Sequence, residues 1–160
     1  LSLQTRLSAA YKGIMALILK TGCLDFISGS AMDFTVFLDE STDIHHIFPR
    51  AYCESEKFPG QVELEINKTL FARTNRIIGG SAPSVYLKKI EKDGHVSEEQ
   101  LDRYVATHLI DVGSLRADDF DAYFINRAKA LLEKISQAMG KPIANLSGED
   151  IILAFGKPLD

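Results

Sequence analysis

Residues 118–139, "DDFDAYFINRAKALLEKISQAM", carry apolar side chains at a sustained three-four spacing: Phe120, Tyr123, Phe124, Ala128, Leu131, Leu132, Ile135, Ala138 and Met139. That is the pattern of an amphipathic helix, and Gly140 ends it. A stripe so long needs an apolar surface to lie on, so its Phe and Tyr residues are expected in a core rather than as a platform for stacked bases. Strand-like runs occur only in the first half of the chain. Segregated strands and helices predict an α+β protein.

Several other helices are expected around the strands. Residues 5–21 repeat apolar positions at helical spacing up to Gly22, "PSVYLKKIEKDG" opens on Pro83, and "SEEQLDRYVATHLI" begins with Ser97 and Gln100 in capping-box spacing. A last helix is expected over 148–155. "DFISGSAMDFTVFLDESTDIHHIF", which Pro49 ends, reads as a turn around Gly29 followed by one or two strands, and "TLFAR" (69–73) as a further short strand. The stretch after Pro49 is expected to be a long excursion with at most a helical turn. "TNRIIGG" offers Thr74 as a cap and Gly79-Gly80 as a stop for about two turns of helix. With no repeat, low-complexity tract or linker, residues 1–160 are expected to form one domain.

Composition excludes several classes. No apolar run is long enough to cross a bilayer, and the best candidate, "YKGIMALILKTG", reads as a buried helix. Cys23 and Cys53 lie thirty residues apart with no CxxC, which leaves no thiolate zinc ribbon and no disulfide framework. A reducing cytoplasm is the expected setting. The chain opens at Leu1 without an initiator Met, as expected of the C-terminal piece of a larger protein. Its net charge is −4, yet residues 45–92 hold eight basic against five acidic side chains. A local excess of positive charge can form a phosphate-binding face in an acidic protein; uneven surface charge with no partner is the alternative.

The chemistry-bearing stretch is "STDIHHIFPR". Successive strand residues point to opposite faces, so His45 and His46 are poorly placed to bind one metal together. Either they are the polar end of a strand, or the two rings do different work. Asn67 stands before the second strand and Asn75 in the first turn of the short helix. Strand, strand and short helix, with polar groups at the first strand's end and on the helix, is the plan of a ββα-metal nuclease.

"DIHHIFP…NKTLFARTNR" resembles the HNH (His-Me finger) endonucleases. It is most similar to the C-terminal nuclease domain of GmrSD-type modification-dependent restriction endonucleases, and also to the HNH domain of CRISPR effector nucleases. The motif match spans about 43–90; the tail "HLIDVGSLRADDFDAYFINRAKALLEKISQAMGKP" also looks like the segment C-terminal to the motif in those restriction proteins. The resemblance implies a ββα-metal core over about 33–80 with a short antiparallel hairpin, wrapped by helices from both ends.

It further implies His46 as the general base, Asn67 as the residue that orients it, and His45 and Asn75 as ligands of one divalent ion. Mg²⁺ is the expected ion; Mn²⁺, Ni²⁺ and Zn²⁺ also suit an imidazole ligand. Many relatives carry a carboxylate at the His45 position or a histidine at the Asn75 position, so this ligand set is unusually neutral. Arg73, Arg76 and Lys68 are candidate phosphate contacts, ordinary surface charge being the alternative, and Asp43 a candidate to orient a histidine. The implied partners are double-stranded DNA and an upstream nucleotide-hydrolysing domain, with no membrane. The alternative is an HNH-fold module that binds DNA or regulates without cutting. His95 is expected in a loop, His108 in helix packing, and Cys53 as a small buried residue.

Overall fold

β2 (Lys68–Ala72) is the innermost element of the protein. Lys68, Thr69, Leu70 and Phe71 are all buried. Side chains alternate along a strand, so four consecutive buried residues mean that both faces are covered. β1 (Thr42–His46) pairs with β2 antiparallel, from Thr42 opposite Ala72 to His46 opposite Lys68, and is the more exposed strand. The computed structural model describes residues 9–32, 42–58, 65–72 and 79–140. Within them the chain is α+β: one two-stranded antiparallel sheet among helices.

Those helices are α1 (Ala9–Lys20), α2 (Arg50–Ser55), α3 (Pro83–Gly94), α4 (Glu98–Ala106), α5 (Val112–Arg116) and α6 (Phe120–Met139); a 3-10 turn, Glu65–Asn67, leads into β2. α1 packs on β2, and α6 packs on α1, α5 and the 3-10 turn. On the sheet face that carries Thr69 and Phe71, the Phe26 ring meets Phe71 edge-on at 4.7 Å and His108 at 4.8 Å. Such edge-to-face contacts suit the opposite charge of ring edge and ring face.

His108 is fully buried between two partners. Its Nε2 lies 2.6 Å from the Leu24 carbonyl, which can only accept, so Nε2 carries the proton. Nδ1 then accepts from the Thr69 hydroxyl at 2.6 Å. This bond ties the connection after α4 to β2. Burial foremost, with the nearby Arg127 cation, pushes the His108 pKa down to about 4, so the ring is neutral.

Helix ends follow local chemistry. α4 has the full Ser97–Gln100 capping box, and α6 starts where Asp119 accepts from the Ala122 amide at 3.1 Å. Gly140 takes the left-handed conformation (φ +64°) that ends α6. α3 begins at Pro83 as expected, and Ala82 before it has no polar side chain to cap it. Asp118, from the connection before α6, accepts from the Ser84 amide at 2.8 Å and the Ser84 hydroxyl at 2.6 Å. Three further differences have local causes. The stretch after Pro49 is helical, with an Arg50–Glu54 pair at 2.9 Å along its exposed face. α4 ends at Ala106, short of His108, because Thr107 turns its hydroxyl back to the Tyr104 carbonyl (2.6 Å) and Leu109 adopts φ +61°. α5 is an added short helix, opened where Asp111 accepts from the Ser114 amide at 3.2 Å.

The expected helix over 148–155, the strand residues before Ser41 and the short helix at 74–78 lie outside the described residues. Among those described, no helix is long and apolar enough to cross a membrane.

Candidate active site at the end of the hairpin

His45 and His46 close β1, so their side chains leave opposite faces of the sheet. His45 shares its face with Asp43 and, across the ladder, with Thr69 and Phe71. Its ring stands 5.6 Å from the Phe71 ring at a steep angle, and its Nε2 is 4.0 Å from Asp43 Oδ2. With 47% of its side chain exposed, the imidazole is open to solvent. His46 occupies the other face, half-buried, with Ile44 beside it and Lys68 across from it.

The segment after His46 is held firmly. Asn67 is fully buried and makes a two-way bond with Phe48: Oδ1 accepts from the Phe48 amide at 3.0 Å, and Nδ2 donates to the Phe48 carbonyl at 3.1 Å. The side chain thus pairs with a backbone as a neighbouring strand would. The Asn67 carbonyl also accepts from the Ile47 amide at 2.8 Å, and the Tyr86 hydroxyl donates to the Ile47 carbonyl at 2.7 Å. Packing adds to these bonds, because the Phe48 ring sits 5.2 Å from Phe120 and 4.8 Å from Tyr123. Both backbone groups of Ile47 and Phe48 are therefore satisfied inside the core, as buried peptide groups must be.

α6 reaches the same place. The Tyr123 hydroxyl lies 3.2 Å from Asn67 Oδ1 and 3.3 Å from the Ile66 carbonyl. Arg127, with no exposed surface, donates through Nη1 to the Ile66 carbonyl and, at 2.8 Å, to the Lys68 carbonyl; its Nε and Nη2 reach the His108 carbonyl at 3.3 and 3.2 Å. Burial pulls the Arg127 pKa down and pushes that of Tyr123 up.

Of the expected site residues, His45, His46 and Asn67 come together at this hairpin end, with Asp43 beside His45. Lys68, a candidate phosphate contact, is 1% exposed, so its ammonium is not presented on the surface. Asn75, Arg73 and Arg76 lie outside the described residues. Among the described residues no three His, Cys, Asp or Glu side chains gather; the expected donors are one His and one Asn, and that Asn lies outside the described residues. Cys53 is buried as expected, its thiol pointing at the Phe48 carbonyl at 3.8 Å, and His95 caps α3 in a left-handed turn.

Tyr86, Tyr123 and Arg127 are the contributors that sequence reasoning overlooked. Arg127 had a readable signal, since it falls on the apolar stripe of α6, where a charge has no business unless it is fully bonded. No protein-family model, curated protein or solved structure matches the chain.

Proposed function

We propose that the chain is a metal-dependent endonuclease of the HNH type, hydrolysing phosphodiester bonds of double-stranded DNA from a ββα-metal core. The observation that carries this reading is the two-way bond between Asn67 and Phe48, two residues past His46. An asparagine spent on fixing the backbone beside a half-buried histidine has a purpose if that imidazole must keep one orientation.

In the proposed reaction His46 takes a proton from water, whose oxygen forms a bond to phosphorus while the bond to the 3′ oxygen breaks. Neutral imidazole can do this near neutral pH. His45 and Asn75 would hold the metal. The exposed His45 ring, with the Asp43 carboxylate close by, suits a divalent ion with several retained waters, as Mg²⁺ prefers. The ion, when bound, supplies Lewis-acid polarisation of the phosphate and of the leaving oxygen. Arg73 and Arg76 are the proposed phosphate contacts; Lys68 is left out because it is buried.

The resemblance to restriction nucleases extends the proposal to a cutting module for phage defence, acting in the cytoplasm beside a nucleotide-hydrolysing domain upstream. Supercoiled plasmid with Mg²⁺ or Mn²⁺ tests the core of it. Wild type should nick and linearise the plasmid, and His46→Ala should not. Equal inertness of both proteins, with DNA still bound, would instead favour a non-cutting DNA-binding module.

A further inference from the structure

Arg127 is the most unusual side chain of the buried core. It stands on the stripe of Phe120, Tyr123, Phe124 and Leu131, fully enclosed. A guanidinium stays charged in a protein, so enclosing it is costly unless its donors are used. Among the described residues no carboxylate pairs with it. Its donors go to backbone carbonyls, and two of these, Ile66 and Lys68, belong to the residues on either side of Asn67. The Asn67 carbonyl between them accepts from Ile47, so the guanidinium ties the 3-10 turn to the first residue of β2 on either side of Asn67.

Tyr123, one helical turn earlier, completes the arrangement. Its hydroxyl and the Phe48 amide converge on one atom of the Asn67 amide group, at 3.2 and 3.0 Å. The Phe48 N–H can only donate, so that atom is the oxygen and Nδ2 meets the Phe48 carbonyl; the Tyr123 hydroxyl, donating to the same oxygen, helps to hold the amide in that orientation. The flipped amide would turn its NH₂ against the Phe48 N–H and remove the oxygen to which Tyr123 donates. We infer that Arg127 and Tyr123 are positioning residues of the hydrolytic site, locking Asn67 and through Phe48 the orientation of His46. The inference rests on the nuclease reading of His46, and it makes α6 part of the active centre although neither residue touches substrate.

Tyr123→Phe removes one oxygen and leaves the ring packing intact; Arg127→Lys keeps the charge but cannot bridge three carbonyls. The full 160-residue chain is compared in each form at a temperature where circular dichroism shows it fully folded. With plasmid as substrate, Tyr123→Phe should lower kcat at least tenfold while KM and DNA affinity stay within twofold, and Arg127→Lys should lower kcat further. In both, the His46 imidazole resonances should move from their wild-type positions at fixed pH, and the Phe48 amide should exchange with solvent at least tenfold faster while amides of α3 do not. A purely structural role would leave kcat per folded molecule and the His46 resonances as in wild type, and that result overturns the inference. The NMR and exchange readouts decide the point without cleavage. If wild type and His46→Ala prove equally inert on plasmid, the nuclease reading fails, while unchanged His46 resonances and Phe48 exchange in Tyr123→Phe would refute the positioning role separately.

Discussion

Asn67 holds Phe48 by both of its backbone groups, at 3.0 and 3.1 Å, from a site with no solvent access. The pairing joins the segment just past β1 to the 3-10 turn that leads into β2, and fixes the chain directly after His46. Removing it leaves an amide and a carbonyl of Phe48 to find new partners in a packed interior. Asn67→Ala should therefore lower stability by about 3 kcal/mol, the order expected for orphaning two buried backbone groups. Urea unfolding measures it, and a loss under about 0.5 kcal/mol, within the range of neutral surface changes, would mean that the clamp bears no weight.

His45 and His46 should fail in different ways. If His46 is the base, His46→Ala lowers kcat by about 10²–10⁴-fold, the usual contribution of a positioned proton acceptor, without changing the metal concentration that gives half-maximal activity. His45→Ala should shift that concentration upward, with high Mn²⁺ restoring part of the rate. Titrating metal against cleavage rate separates the two; identical responses would undo the division of labour.

His108 makes the fold sensitive to acid. Its pKa lies near 4 in the folded protein, against about 6.5 for a free imidazole, so between those values the unfolded chain binds a proton that the folded chain refuses. The neutral ring's contribution is fully present above about pH 6.5 and is lost as pH falls towards 4, a change of about 3 kcal/mol. His108→Gln, which takes up no proton, should flatten this part of the stability profile. Urea midpoints between pH 7 and pH 4 test the point, and parallel profiles for the two proteins would sink it.

Asp118 combines a cap with a costly backbone conformation. It sits at φ +55° and accepts two hydrogen bonds from Ser84 at the start of α3. Asp118→Ala loses the cap and keeps the left-handed backbone, so it should cost about 2 kcal/mol. Asp118→Gly loses the cap but is free of the steric cost and should lose only about 1 kcal/mol. Thermal unfolding of both variants checks the order; glycine at least as harmful as alanine would refute the account.

Much of the local architecture was legible in advance. α6 was announced by its apolar spacing and by Gly140, the start of α4 by Ser97 and Gln100, and α3 by Pro83. These signals need only neighbours within a turn or two, where side-chain spacing and capping chemistry act directly. The hairpin strands were legible too, within a residue at β2. The cap of α3 was not, since Asp118 is thirty-four residues from Ser84. Nor was the burial of Lys68, whose position beside His46 and Asn67 reads equally well as surface.

The sequence alone determined most of the described helices and the two strands, and that adjacent histidines on a strand must face opposite ways. Both follow from backbone geometry that holds wherever the segment lies. Only the tertiary structure decided what surrounds those histidines. Arg127 meets the Ile66 carbonyl across sixty-one residues of chain, and Tyr123 meets Asn67 across fifty-six. No local periodicity encodes such meetings. They exist because the apolar face of α6 has to be buried, and burying it brings a cation and a hydroxyl that must find oxygen atoms in the core.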